Sequence, residues 1–250
     1  MTNTTDTKDE TAGAGTRFFD YGYSLVPPVP LRRDGTTALV IIDVQHRDAS
    51  PGHGVCLAME RVAPGSMAYF HDRVETVMIP TIRELLEAFR ADGLPVIHVL
   101  LGSDYEDMRD CPERFRQWAR KLETDSGVER IFWSGGEGYQ PRPEVAPAPG
   151  ETIVRKLTMG AFNSGNIDTV LRSMGIESLV ITGVSTNACV ETTARDAADR
   201  GYACVIVDEG TADYDADAHD ATLRAFHFNL GRVARTGRDV VDALRAEADF

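Results

Sequence analysis

No two of the four cysteines form a CxxC pair, and no basic stripe offsets the excess of acid. No apolar run reaches the roughly 18 residues needed to cross a bilayer. Each absence excludes something. The scattered thiols Cys56, Cys111, Cys189 and Cys204 are those of a soluble protein in a reducing compartment, and the expected location is the cytoplasm. With 26 basic against 39 acidic residues, a formal charge of −13 repels phosphate backbones and anionic lipid surfaces, so neither nucleic acid nor a membrane is an expected partner. The opening "MTNTTDTKDETAGAGT" has no basic region followed by an apolar run and no aromatic residue to pack, so residues 1–16 are expected to be a disordered tail, not a signal peptide. "GGEG" (135–138) precedes no helix and lacks the lysine and hydroxyl of a phosphate loop, which leaves it the role of a hinge.

What is present is enough apolar sequence, 42% of 250 residues, to bury a substantial core. A single large domain over 17–250 fits better than two small ones. "TTALVIIDVQ" (36–45) is a continuous β-branched run of the kind buried on both faces of a parallel sheet, with Asp43 at its carboxyl end. Apolar residues at helical spacing follow over 71–91, interrupted by Pro80, which should kink the helix or mark its true start. "GLPVIHVLLG" (93–102) is a second buried strand. The period then fails over 103–150, a stretch expected to be an insertion or long loop serving as a lid or subunit contact.

Beyond residue 150 the rhythm resumes. "ETIVRKL", "SLVITG" and "ACVIVDEG" are strands; "SGNIDTVLRSMG", "NACVETTARDAADRG" and "DAHDATLRAFHFNLG" are helices, and "RVARTGRDVVDALRAEA" supplies a last strand and helix. Strands alternating with helices of about 10 to 15 residues predict an α/β fold, a three-layer α/β/α sandwich with a mostly parallel, doubly wound sheet. Ligands in such sheets bind beyond the carboxyl ends of the strands. The residues to inspect are therefore Asp43, Lys156, the segment from Gly183 to Cys189, and Asp208.

Three of those strand ends deliver a carboxylate, an amine and a thiol to one edge of the sheet. A helix N-terminus and a nearby ammonium both favour the thiolate, the nucleophilic form of Cys189. A carboxylate beside it can take the thiol proton and return it to a leaving amine, and backbone N–H groups of the turn can bind the oxyanion of a tetrahedral intermediate. Taken singly, each residue has an ordinary role: a packed thiol, a surface lysine, a turn-forming aspartate. Cys204 lies within a strand and packs, whereas Cys56 and Cys111 fall in loops.

"ALVIIDVQ", the lysine ending "TIVRK" with Phe162 and Ser164 after it, and "VITGVSTNACVETTARDAADRGY" together resemble the isochorismatase-like cysteine hydrolases over roughly residues 36–245. That group includes N-carbamoylsarcosine amidohydrolase, nicotinamidase, and biuret and ureidoacrylate hydrolases. The resemblance implies a triad of Asp43 as general base, Lys156 as its middle member and Cys189 as nucleophile. It also implies a cis peptide between Val184 and Ser185, with the backbone N–H groups of Ser185 and Cys189 forming the oxyanion hole. Homodimers or homotetramers are common in the group.

True isochorismatases lack the cysteine, so Cys189 points to amide chemistry. The Asp-x-His metal site of nicotinamidases has no counterpart in "HVLLGSDYEDM", so no cofactor and no metal are expected, and His46, His53 and His71 are read as solvated loop residues. The expected activity is hydrolysis of a small linear amide or ureide, of N-carbamoyl type, through a thioester. Two alternatives stay open: a metal-assisted nicotinamidase-like amidase using the loop histidines, and a non-catalytic ligand-binding or redox-sensing module. Gln45, Phe162 and Asn187 are candidate substrate-binding residues, although Asn187 also suits a helix cap and Gln45 a structural amide. Phe162, Trp133, Tyr139 and Phe19 are candidate pocket walls.

Overall fold

The computed structural model describes residues 23–250. The tail expected over 1–16, and Phe19, lie outside them. Six strands form one sheet: β1 (Thr37–Ile42), β2 (Val96–Leu101), β3 (Thr152–Lys156), β4 (Ser178–Val184), β5 (Ala203–Ala212) and β6 (Arg232–Ala234). Their order is β3-β2-β1-β4-β5-β6 and every pairing is parallel. Parallel neighbours cannot be joined by a tight turn, so helices cross over between them and cover both faces.

The central strand shows why the sequence chooses this arrangement. All six residues of β1 are buried. Leu39 and Ile41 join one core with the helix α4 (Ile79–Ala91) and with α9 (Gly237–Ala246), while Ala38, Val40 and Ile42 join the other with α6 (Ile167–Ser173), α7 (Glu191–Asp199) and α8 (Ala216–Asn229). An unbroken apolar run is what a strand with two buried faces requires. No helix among the described residues is long and apolar enough to cross a membrane.

Pro80 marks the start of a helix, one of its two expected roles, although that helix continues a longer helical run. The chain forms α3 (Ala68–Arg73), a π-helical turn over Val74–Met78, and then α4, with Pro80 in the first turn of α4. The wider turn absorbs the hydrogen bond that proline cannot make.

The 103–150 stretch departs further from expectation. It contains α5 (Glu113–Ser126), a two-sided helix whose Phe115, Ala119 and Leu122 pack with Ile131 and Phe132 into a third core. That core also takes Val55 and Ala58 from α2 (Gly54–Val62), which follows the short helix α1 (His46–Ala49). The stretch is a packed subdomain wall, not an irregular loop. Cys56, expected in a loop, is buried within α2.

One glycine is required by position. Gly183 has φ +116°, and a Cβ there would run into the carbonyl of Ile42 on the neighbouring strand. It coincides with a register shift between β4 and β5 that aims the end of β4 at the site described next. Gly183→Ala is expected to cost about 3 kcal/mol of stability in urea unfolding, because the strained φ and the backbone clash act together. A loss below about 1 kcal/mol would mean that the strand end relaxes freely.

Candidate active site

β1 and β4 are neighbours in the sheet, yet β1 leads to β2 on one side and β4 leads to β5 on the other. The chain diverges there, leaving a crevice beyond the strand ends. Asp43 is the first residue after β1 and sits at φ +53°, a left-handed conformation uncommon for a non-glycine residue. Cys189 lies opposite, in a π-helical turn (Thr186–Val190) between β4 and α7. The peptide bond between Val184 and Ser185, where that turn begins, is cis. Lys156, the last residue of β3, extends across from the sheet edge.

The lysine binds the other two. Its Nζ lies 2.8 Å from Asp43 Oδ2 and donates to Cys189 Sγ at 3.3 Å. It also donates to the carbonyls of Thr158 at 3.0 Å and Met159 at 2.8 Å. The Lys156 and Asp43 side chains are 0% and 2% exposed. Beyond the lysine, the two Asp43 oxygens have no hydrogen-bond partner among the described residues, so the carboxylate retains acceptor capacity.

Burial opposes the ammonium of Lys156, but Asp43 and Cys189 outweigh it and hold the group above its ordinary pKa. Burial also pushes the Cys189 thiol up; Lys156 works against this and the Asp43 charge adds to it. Burial therefore works against the thiolate that the ammonium favours, beside a carboxylate that retains acceptor capacity.

A cavity of about 230 Å³ opens from these residues. Ser185, Asn187 and Cys189 line its reactive end, so both predicted oxyanion donors border it. The opposite wall is apolar, built from Val55, Leu101, Trp118, Phe132 and Tyr214. Asp48 is the second carboxylate on the lining besides Asp43, and nothing in the sequence had singled it out.

Of the tentative substrate residues, only Asn187 lines the cavity. It does not cap the helix through its side chain: its backbone N–H donates to Asp213 Oδ2 at 2.6 Å, and Asp213 also receives the N–H of Tyr214. Gln45 is fully buried, away from the lining. Its amide donates to the carbonyls of Leu101 and Tyr139 and its oxygen accepts the Leu101 N–H, so it ties β1 to β2 and to the wall segment. Phe162 packs instead against Tyr202, beneath the Arg200 guanidinium. Trp133 and Tyr139 border other clefts.

Asp208 does not end its strand, because β5 continues to Ala212. It pairs with Arg73 and with His219 Nε2 at 2.9 Å, while His219 Nδ1 lies 2.8 Å from Thr186 Oγ1, so the network steadies the Thr186–Val190 turn from behind. His46 and His53 lie with ring centroids 5.3 Å apart, and among the described residues no three His, Cys, Asp or Glu side chains are grouped to hold a metal.

The isochorismatase-domain family model matches residues 37–238 of this chain. A ureidoacrylate amidohydrolase RutB of Pseudomonas syringae pv. syringae (strain B728a) is 33% identical over 191 residues, covering 74% of this chain and 74% of that protein. Among solved structures, a cysteine hydrolase from Pseudomonas syringae pv. phaseolicola 1448A superposes with a TM-score of 0.71 at 24% identity, covering 89% of this chain and 99% of the other. N-carbamoylsarcosine amidase from Thermoplasma acidophilum does so with a TM-score of 0.56 at 25% identity, covering 79% and 96%.

Proposed function

For a chain that belongs to the isochorismatase family, we propose the activity of a cysteine-dependent amidohydrolase that cleaves the C–N bond of a small linear amide or ureide. The observation that carries this reading is Lys156 Nζ set 2.8 Å from Asp43 and 3.3 Å from Cys189, the latter two lining the 230 Å³ cavity. The names of the ureidoacrylate amidohydrolase and N-carbamoylsarcosine amidase relatives support the substrate class.

The order of events follows from the placement of the three side chains. Asp43 takes the proton of the Cys189 thiol as Sγ attacks the carbonyl carbon, and Lys156 stays charged throughout, offsetting whichever of its neighbours is the anion. The tetrahedral oxyanion is bound by the backbone N–H groups of Ser185 and Cys189, each such donor contributing about 3 to 4 kcal/mol to the transition state. The C–N bond breaks as Asp43 returns its proton to the departing nitrogen, releasing ammonia or a small amine and leaving a thioester. Water, deprotonated by Asp43, attacks the thioester and the thiol is regenerated.

The test is ammonia release from a panel of small amides, N-carbamoyl amino acids, ureides and nicotinamide, each with and without a chelator. Ureides are expected to turn over and chelator to leave the rate unchanged. A panel without ammonia release, from protein whose Cys189 still reacts with an alkylating agent, would overturn the reading; a rate lost to chelator would favour the metal-assisted alternative.

A further inference from the structure

The charges around the cavity are arranged unequally. Two cations are tied to its lining residues, Lys156 and Arg47, and neither borders the cavity itself. Lys156 donates to Thr158, Met159 and Cys189 and pairs with Asp43. The Arg47 side chain is 0% exposed. Its Nη1 donates to the Leu101 carbonyl and its Nη2 to Gln45 Oε1, its Nε and Nη2 both reach Asp48 Oδ2, at 2.9 and 2.5 Å, and its flat face lies 4.7 Å from the Phe132 ring centroid. Gly138 passes over it, where a Cβ would press on the arginine side chain.

The anion of that pair is the exposed member. Asp48 lines the cavity with its side chain 13% exposed, and among the described residues no protein donor reaches its Oδ1. Arg47 thus holds one carboxylate oxygen and leaves the other without a protein donor on a residue that lines the cavity, while burial pushes the carboxyl's pKa up and Arg47 pulls it down. The remaining wall is apolar and aromatic. No Lys, Arg or His borders this cavity among the described residues.

We propose that Asp48 is a specificity residue: the site takes ureides and amides that carry an N–H donor, neutral or cationic, on an apolar body, and rejects those that carry a carboxylate. The inference deepens the hydrolase reading above and rests on it. A substrate carboxylate would be stripped of water beside two aspartates with no cation to receive it, whereas an amine or amide N–H meets Asp48 Oδ1. The acrylate of the compound for which the curated relatives are named is such a carboxylate, so this chain should differ from them in the group it accepts at the far end of the molecule.

The experiment compares three ureas of matched length, 3-ureidopropanoate, propylurea and 3-aminopropylurea, by kcat/KM with wild type and Asp48→Asn. Calorimetric titration of Cys189→Ala with the same three reads the preference without turnover and without disturbing Arg47. Wild type is expected to favour the neutral and cationic ureas over the carboxylate by at least about tenfold, a difference of about 1.4 kcal/mol. Asp48→Asn should shrink the ratio of aminopropylurea to ureidopropanoate by at least about tenfold. Equal or better use of ureidopropanoate by wild type would overturn the proposal, as would a ratio unmoved in Asp48→Asn. If Cys189→Ala binds the ureas in the expected order but wild type hydrolyses none, the selectivity stands and the hydrolase reading fails; if it neither binds nor hydrolyses any of them, both fail.

Discussion

Cys189→Ala is expected to lower kcat/KM for any ureide the wild type hydrolyses by at least about four orders of magnitude, with substrate binding retained. The basis is chemical: without Sγ no thioester forms, and Asp43 has no nucleophile to deprotonate except water held in an unsuited position. The residual rate would come from the oxyanion donors and the cavity alone. The loss cannot be attributed to unfolding, because the site is supported by Lys156, Asp43 and the β4–α7 turn, and removing a single sulfur, hydrogen-bonded to Lys156 Nζ and, at 3.7 Å, to the Met159 sulfur, leaves a small void. A stability cost of about 1 kcal/mol is expected, at the low end for truncation of a buried side chain. Steady-state ammonia release and urea unfolding of the same preparation separate the two effects. A variant retaining more than about one part in a hundred of the activity would rule out the covalent route, and the carboxylate activating water directly would become the mechanism.

The same contrast between chemistry and support explains what could be read from the sequence. Strands were legible because β1, β2 and β4 are buried on both faces and so are written as unbroken apolar runs. Asp43 and Lys156 were legible because a charge at the end of such a run has few reasons to be there. Helix α5 was not, since "ERFRQWARKLETDS" is dominated by charge; its apolar residues Phe115, Ala119 and Leu122 do recur at helical spacing, but they join a core with Phe132 and α2 to which the sheet contributes Leu101 at the end of β2. The cavity wall was hidden for the same reason. Trp118, Phe132 and Tyr214 come together from three separate segments by tertiary crossing, and no local signal distinguishes them from Trp133 or Phe162. Asp48 had one available sign, a second acidic residue five positions after Asp43 and next to an arginine, but its direction depends on Arg47 being buried under Gly138 and Phe132.

Lys156 and Asp43 should show the largest energetic coupling in the molecule. Lys156→Met removes the cation beside a carboxylate that is 2% exposed, and Asp43→Asn removes the anion beside an ammonium that is 0% exposed. Each single change leaves an uncompensated buried charge and should cost about 3 to 5 kcal/mol in urea unfolding. Each should also reduce kcat/KM, Asp43→Asn by roughly 10² to 10⁴, the range of a lost general base. The double variant Asp43→Asn with Lys156→Met removes both charges. Its stability should therefore return to within about 2 kcal/mol of wild type, giving a coupling of several kcal/mol, while its activity stays as low as that of the worse single variant. Recovery of stability without recovery of rate would mean that the pair is retained for proton transfer at Cys189 and not for folding. Additive losses would mean something different: Lys156, holding the Thr158 and Met159 carbonyls, would be giving up its proton when Asp43 is absent, and the ammonium that balances charge through the reaction would owe its existence to the carboxylate it accompanies.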